Sequence, residues 1–188
     1  GRGLLGILEG LPAGLRIDED YINARLKARQ GGYGRGGRMT IEADRVEIWA
    51  GVRAGRTIGS PLGVIVANRD YKIEELPPVT APRPGHADLA GAMKYGHRDV
   101  RNVLERASAR ETAVRVALGS VAELLLKEFG IGVKAFVAAL GDVEAEKRGD
   151  IPADSRLNCP DPEAEQMMIE AIDRARGEGD TLGGIFQV

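Results

Sequence analysis

Residues 103–129, VLERASARETAVRVALGSVAELLLKEF, carry the clearest secondary-structure signal in the chain. Apolar and small side chains recur there every three or four residues, which is the spacing of one face of an α-helix. The positions that keep this spacing are Ala113, Val116, Ala117, Ser120, Val121, Leu124, Leu125 and Phe129. Gly130 follows directly and suits a helix C-terminus. The pattern therefore predicts one helix from about Val103 to Phe129.

Shorter segments on both sides of this helix alternate or run apolar in the manner of β-strands. They predict strands at LLGIL (4–8), DRVEIWAGV (44–52), PLGVIVAN (61–68), VKAFVAAL (133–140) and GGIFQV (183–188). The segment 69–99 is rich in proline and is expected to form an irregular loop, and a loop of this length is usually functional or disordered.

Two further helices are predicted from the residues that cap their N-termini. Asp18 is expected to cap a helix that ends near Arg29. The pair Asp161-Pro162 is expected to open a helix that ends near Arg176. This order of strands and helices predicts an α+β fold with mostly antiparallel strands.

Composition limits the classes of function. The chain has 188 residues, 4% aromatic residues and a net charge of −2, and we expect a single domain over 1–188. These values argue against a general nucleic-acid or membrane-surface binder. Basic residues predominate over 25–56 and acidic ones over 142–180, which favours a small anionic ligand. Cys159 is the only cysteine, so an internal disulfide is excluded and a reducing, cytoplasmic location is expected.

A first candidate cluster lies in RQGGYGRGGR (29–38). Its glycines permit close approach of the backbone to a ligand, and Arg29, Arg35 and Arg38 offer planar donors that match carboxylate or phosphate. The alternatives are a solvated basic loop and an RNA-binding segment. The internal position of the loop argues against the RNA-binding segment.

A second cluster lies in APRPGHAD (81–88). His86 follows a Pro-Gly turn with Arg83 and Asp88 beside it, and a histidine can give or take a proton near neutral pH. A loop histidine is also often only a surface residue. His97 is interpreted as a surface residue, because only Asp99 is near it as a carboxylate.

The third cluster is RASARETAVRVALG (106–119), in which Arg106, Ser108 and Arg110 precede the apolar turns. Two guanidinium groups and a hydroxyl at a helix start can bind phosphate. Glu111 and Arg115 are alternatively a routine surface pair one turn apart. Spacing does not choose between these two interpretations.

Taken in chain order, the motifs ILEGLPAGL, ARQGGYGRGGRM, GRTIGSPLGVIVAN, RPGHADLAGAMKYGHRDVRNVLERASARETA and GDTLGG closely resemble chorismate synthase. The resemblance covers nearly the whole chain. It implies helices sandwiched between mostly antiparallel β-sheets and a homotetramer; the expectation of no nucleic-acid or membrane partner rests on the composition above. It also implies a lyase of aromatic amino acid biosynthesis that converts 5-enolpyruvylshikimate 3-phosphate to chorismate and phosphate.

The same resemblance implies a requirement for reduced FMN, with NADPH as a candidate reductant, although the reaction involves no net redox change. It implies that His86 is catalytic. Residues carried over as substrate-binding are Arg29, Arg35, Arg38 and Arg83. Residues carried over as FMN-binding are Arg106, Ala107, Ser108 and Arg110. No metal site is implied.

Two departures from the family pattern are evident. Many members have serine where this chain has Ala107, which removes one hydroxyl. The family also begins with a GESHG motif that holds a second catalytic histidine, and Gly1 matches the last glycine of that motif. A C-terminal half is expected beyond GDTLGG, so residues 1–188 are expected to be a fragment. The alternative function is an inactive fragment that acts only in oligomerisation or binding.

Overall fold

A computed structural model describes residues 1–34, 43–69, 71 and 75–188. The chain folds into two compact units, and each is described by itself. The first unit comprises Gly1–Lys27 with Thr40–Leu125, and the second comprises Ala28–Met39 with Leu126–Val188. A single domain over the whole chain stays a prediction.

The described elements follow one another in an α+β order. They are β1 (Gly3–Leu8), α1 (Glu19–Gln30), β2 (Val46–Ala50), β3 (Val52–Arg53), β4 (Arg56–Thr57), β5 (Leu62–Ala67), α2 (Asp88–Tyr95), α3 (Arg101–Arg106), a 3-10 turn (Ala109–Glu111), α4 (Thr112–Glu128), β6 (Phe136–Leu140), β7 (Val143–Glu144), α5 (Pro162–Glu178) and β8 (Gly184–Gln187).

The core of the first unit lies on one face of an antiparallel sheet with strand order β1–β5–β2. Alternate residues of β5 point into this core, because side chains alternate between the faces of a strand. The core residues of β5 and of the two helices on that face, α1 and α4, are Leu62, Val64, Val66, Ile22, Leu26, Ala113, Val114, Ala117 and Val121. Burying a leucine or valine side chain contributes roughly 1.5–3 kcal/mol, so this layer of helix on sheet stabilises the unit.

The second unit repeats the arrangement on a smaller scale. Its antiparallel sheet has the order β7–β6–β8, and α5 buries Ala164 and Met168 beside Cys159 in a separate apolar cluster. Asp161 is the N-cap of α5, where its carboxylate accepts hydrogen bonds from the backbone N–H groups of Glu163 and Ala164. The predicted cap of this helix is therefore confirmed.

Most of the predicted elements are present. The five predicted strands correspond to β1, β2 with β3, β5, β6 and β8, and the two capped helices correspond to α1 and α5. The backbone N–H of Tyr21 donates to the Asp18 carboxylate at 3.0 Å, as expected of a cap. All strand pairings among the described residues are antiparallel, so the α+β class is confirmed.

The prediction of one continuous helix over 103–129 is wrong. The helix α3 ends at Arg106, and Ser108 has an extended backbone (φ −63°, ψ 129°) before the 3-10 turn and α4. The Ser108 hydroxyl accepts a hydrogen bond from the backbone N–H of Arg110 at 3.2 Å. The Arg110 side chain is buried. The extended backbone at Ser108 interrupts the helix just before this buried side chain.

The prediction of an irregular loop over 69–99 is also wrong in part, since α2 lies within it. Asp88 provides an acidic side chain in the first turn of α2, and Gly96 ends the helix in the left-handed conformation (φ 68°). Both are standard signals of helix ends. The preceding prolines obscured them.

Candidate functional site

The second predicted cluster forms a compact group of three side chains at the start of α2. The Asp88 carboxylate accepts three hydrogen bonds from Arg83: from the Arg83 backbone N–H (3.0 Å), from Nε (2.9 Å) and from Nη2 (3.1 Å). The Nδ1 atom of His86 lies 2.9 Å from the Oδ1 atom of the same carboxylate. The structure therefore brings together Arg83 and His86, both predicted site residues, on one acidic side chain.

Asp88 is fully buried, whereas the His86 side chain is 36% exposed. The hydrogen bonds from Arg83 hold the pKa of the Asp88 carboxyl well below its usual range, and the contact with His86 acts in the same direction. The N-terminus of α2 is a further favourable position for a negative charge. Asp88 is therefore an ionised carboxylate at neutral pH, with His86 on its solvent side.

The third cluster divides into an exposed part and a buried part. The guanidinium of Arg106 is exposed and lies over the ring of Tyr95, with Cζ 4.9 Å from the ring centroid. Ala107 and Ser108 are half-buried at the break between α3 and the 3-10 turn. Contact of these residues with a flavin stays a prediction.

Arg110 belongs to the buried part of this cluster. Its Nη1 atom lies 2.6 Å from Oδ1 of Asp44, its Nε donates to Oδ1 of Asn68 at 2.8 Å, and its Nη2 donates to the carbonyl of Ala67 at 3.2 Å. These bonds join the start of α4 to the end of β5, so the observed role of Arg110 is structural. Its predicted contact with FMN stays a prediction.

The interpretation of Glu111 as a surface partner is confirmed. Its carboxylate lies 3.0 Å from Nη2 of Arg115, and both side chains are largely exposed. A pair of this kind contributes about 0.3–0.5 kcal/mol, so it does not shape the site.

The first cluster is only partly within the described residues. Arg29 lies in the last turn of α1 and is half-buried, whereas Arg35 and Arg38 lie outside the described residues. The start of the loop is anchored within the second unit. The Tyr33 hydroxyl donates to the Asp173 carboxylate, and Cζ of Arg156 lies 4.2 Å from the Tyr33 ring centroid.

This anchored part of the loop borders a cavity of about 410 Å³, lined by Gly32, Tyr33, Gly34, Ser155 and Arg156. The hydrogen bond to Asp173 is the main cause of a raised pKa at the Tyr33 hydroxyl. Binding of substrate by Arg29, Arg35 and Arg38 stays a prediction.

Within the part of the chain that the structure describes, no carboxylate forms a hydrogen bond or an ion pair with the His97 ring. The Asp99 carboxylate accepts hydrogen bonds from the backbone N–H groups of Val79 and Arg101, each at 3.0 Å. The neighbour of the His97 Nδ1 atom is the amide of Asn102 at 3.4 Å. This geometry supports the interpretation of His97 as a surface residue.

Sequence reasoning missed two residues of these networks and the environment of a third. Asp88 was identifiable as a neighbour of His86, but its burial and its bonds to Arg83 were not. Asp44 and Asn68 carried no signal, because they meet Arg110 only through the pairing of strands. Within the described ranges, no helix is both long and apolar enough to cross a membrane.

The family assignment rests on comparison with known proteins. The sequence model of the chorismate synthase family matches residues 1–188. The chain belongs to the chorismate synthase family. Its relatives include the chorismate synthase of Carboxydothermus hydrogenoformans, which is 54% identical over 206 residues and is matched over 54% of its length by the whole of this chain. The chorismate synthase of Geobacter metallireducens is 53% identical, with 53% of its length matched by the whole of this chain.

The fold is also that of a solved chorismate synthase. A crystal structure of chorismate synthase superposes with a TM-score of 0.78 at 40% identity, covering 99% of this chain and 54% of that one. The chain thus spans about half the length of the chorismate synthases that it matches.

Proposed function

We propose that the protein to which residues 1–188 belong is a chorismate synthase. It catalyses the anti-1,4-elimination of phosphate from 5-enolpyruvylshikimate 3-phosphate to give chorismate, the last step of the shikimate pathway. The observation that carries the proposal is the family match across all 188 residues. The cluster of Arg83, His86 and Asp88 supports it with groups suited to the chemistry.

The substrate of this reaction is a small polyanion with two carboxylates and a phosphate. Arg83 is half exposed although it is bonded to Asp88, and it remains cationic at any physiological pH. Hydrogen bonds from charged groups contribute roughly 1.5–3 kcal/mol each. We propose Arg29, Arg35, Arg38 and Arg83 as the substrate-binding residues, and their charge would stabilise the departing phosphate.

His86 is the proposed proton-transfer residue. Its ring is exposed enough to reach a ligand while one ring nitrogen is held by a buried carboxylate. General acid–base groups of this kind contribute about 10²–10⁴-fold to a rate. His86 would donate a proton to, or take one from, the reacting molecule at the ring nitrogen that does not face Asp88.

The donors near the Ala107 break fit an anionic cofactor in part. Arg106 offers an exposed guanidinium and the Ser108 hydroxyl can donate its hydrogen, whereas Arg110 already bonds to Asp44, Asn68 and Ala67. We therefore propose that Arg106, Ala107 and Ser108 contact FMN directly, and that Arg110 holds this segment in place. Reduced FMN supplies electron density that assists the departure of phosphate.

The remaining features of the proposal follow from the family. We propose a cytoplasmic, homotetrameric carbon–oxygen lyase acting on phosphates, a flavoprotein in which NADPH is a candidate reductant of FMN. An inactive module that serves only in oligomerisation or binding is the alternative for residues 1–188 alone. No contact among the described residues favours that alternative.

The decisive test measures chorismate formation under anaerobic conditions with chemically reduced FMN and 5-enolpyruvylshikimate 3-phosphate. The assay is run on the full-length protein and on residues 1–188, with the intact mass of each sample determined first. Chorismate from the full-length protein supports the proposal. Absence of turnover in a folded, full-length protein that binds reduced FMN would refute it. Activity of residues 1–188 alone would exclude the inactive module.

A further inference from the structure

The Asp88 carboxylate has a defined relation to one nitrogen of His86. Its Oδ1 atom lies 2.9 Å from Nδ1, and the carboxylate is fully buried. An ionised carboxylate only accepts hydrogen bonds. The contact therefore requires a hydrogen on Nδ1 of His86.

Arg83 does not compete for this position. Its Nη2 atom lies 3.0 Å from Nδ1 and 3.3 Å from the Nε2 atom of His86. The in-plane lone-pair directions of the two ring nitrogens diverge, so one atom at similar distances from both lies over the ring rather than on either axis. The Asp88 carboxylate, with Oδ1 2.9 Å from Nδ1, is then the hydrogen-bond partner of that nitrogen.

The carboxylate itself is held rigidly. Both of its oxygens accept hydrogen bonds from Arg83, and its backbone begins α2. The helix packs closely on α3, because a Cβ added at Gly91 would lie 2.4 Å from Cγ1 of Val103. A buried and doubly held acceptor of this kind sets the orientation of a ring that is otherwise exposed.

We propose that Asp88 is a positioning residue, which holds His86 in the tautomer with hydrogen on Nδ1 and leaves Nε2 as the nitrogen that exchanges protons. Only the expected effect on catalysis rests on the proposed function. The tautomer itself is a property of the folded chain.

The first experiment observes the tautomer directly. In residues 1–188, His86 and His97 are the only histidines, so a His97→Gln variant labelled with ¹⁵N-histidine reports on His86 alone. At a pH where the ring is neutral, we expect the ¹⁵N shifts and couplings of hydrogen on Nδ1. A dominant form with hydrogen on Nε2 would overturn the proposal, and this test requires no substitution of Asp88.

The second experiment replaces the acceptor by Asp88→Asn in the same background. Arg83 is expected to retain the amide oxygen, which turns the amide NH₂ toward Nδ1 and shifts His86 to the form with hydrogen on Nε2. Asp99→Asn is the matched control, because Asp99 is also a carboxylate that accepts hydrogen bonds in this segment, but its partners are the backbone N–H groups of Val79 and Arg101. An unchanged tautomer in folded Asp88→Asn would contradict the proposal.

The third experiment measures kinetics in the full-length protein, which also covers the case in which the shorter variants fail to fold. We expect Asp88→Asn to lower kcat by about 10²-fold, the smaller end of the effect of acid–base groups, with KM changed by less than threefold. Equal losses in Asp88→Asn and Asp99→Asn, or a loss confined to KM, would overturn the catalytic role. A wild-type protein that makes no chorismate would refute the proposed function while the tautomer result stands.

Discussion

The Nη1 atom of Arg110 lies 2.6 Å from Oδ1 of Asp44, and both side chains are almost completely buried. The same guanidinium donates to Asn68 and to the carbonyl of Ala67 at the end of β5. This group therefore ties the segment that leads into α4 to the central strand of the first unit. Removing only one partner of a buried ion pair strongly destabilises a protein, because the other charge stays buried.

Arg110→Met should destabilise the protein by about 3–5 kcal/mol, because it removes one partner of a buried ion pair with the Asp44 carboxylate. The double variant Arg110→Met/Asp44→Leu should recover much of that loss, since neither charge of this pair then remains buried. Urea unfolding followed by far-UV circular dichroism measures both. Losses that simply add in the double variant would show that the two groups are not coupled.

Gly91→Ala should destabilise the protein even though alanine favours a helix by about 1 kcal/mol over glycine. The added Cβ would lie 2.4 Å from Cγ1 of Val103, and overpacking of this kind costs roughly 1–3 kcal/mol. Gly119→Ala in α4 is the matched control, because nothing lies within 4 Å of its added Cβ. It should be neutral or stabilising.

Val103→Ala combined with Gly91→Ala should restore part of the stability lost by Gly91→Ala alone. The new methyl group then occupies space that the valine vacates. Thermal unfolding measures this comparison. A double variant less stable than either single variant would show that α2 and α3 do not meet at this point.

His86→Ala should lower kcat of the full-length protein by about 10²–10⁴-fold while KM changes little, because the ring transfers a proton rather than anchoring the substrate. The matched control is His97→Ala, whose side chain contacts Asn102. Chorismate formation at saturating reduced FMN provides the measurement. Unchanged turnover in His86→Ala would remove the catalytic role.

Acid should reduce the contribution of Asp88 to stability. In the folded state, the hydrogen bonds from Arg83 lower the pKa of the Asp88 carboxyl. In the unfolded chain, the pKa of an aspartate carboxyl is about 3.9. The stabilisation is therefore fully present above that value and is lost as the pH falls through the lower, folded-state pKa.

The stability difference between wild type and Asp88→Asn provides the measurement of this pH dependence. It should be constant near neutral pH and should narrow below about pH 4, where the unfolded carboxyl begins to bind a proton. Urea titrations at a series of pH values test it. A difference that widens toward low pH would contradict the sign of the shift.

Local signals in the sequence predicted much of this chain. Asp18 and Asp161 marked the starts of α1 and α5, and the apolar run in 61–68 marked β5. The motif around His86 also indicated the family. Signals of this kind succeed because caps and side-chain periodicity are properties of neighbouring residues.

Only the tertiary structure decided the break at Ser108 and the environment of Arg110. A helical pattern continues through both residues, but Arg110 meets Asn68, which lies 42 positions earlier in the chain. That contact depends on how β5 is placed in the sheet, and a buried guanidinium must be matched by acceptors wherever the fold brings them. Asp88 follows the same rule: the sequence determined its place beside His86, and only the tertiary structure determined that it is buried, bonded to Arg83 and to Nδ1 of His86, and therefore ionised.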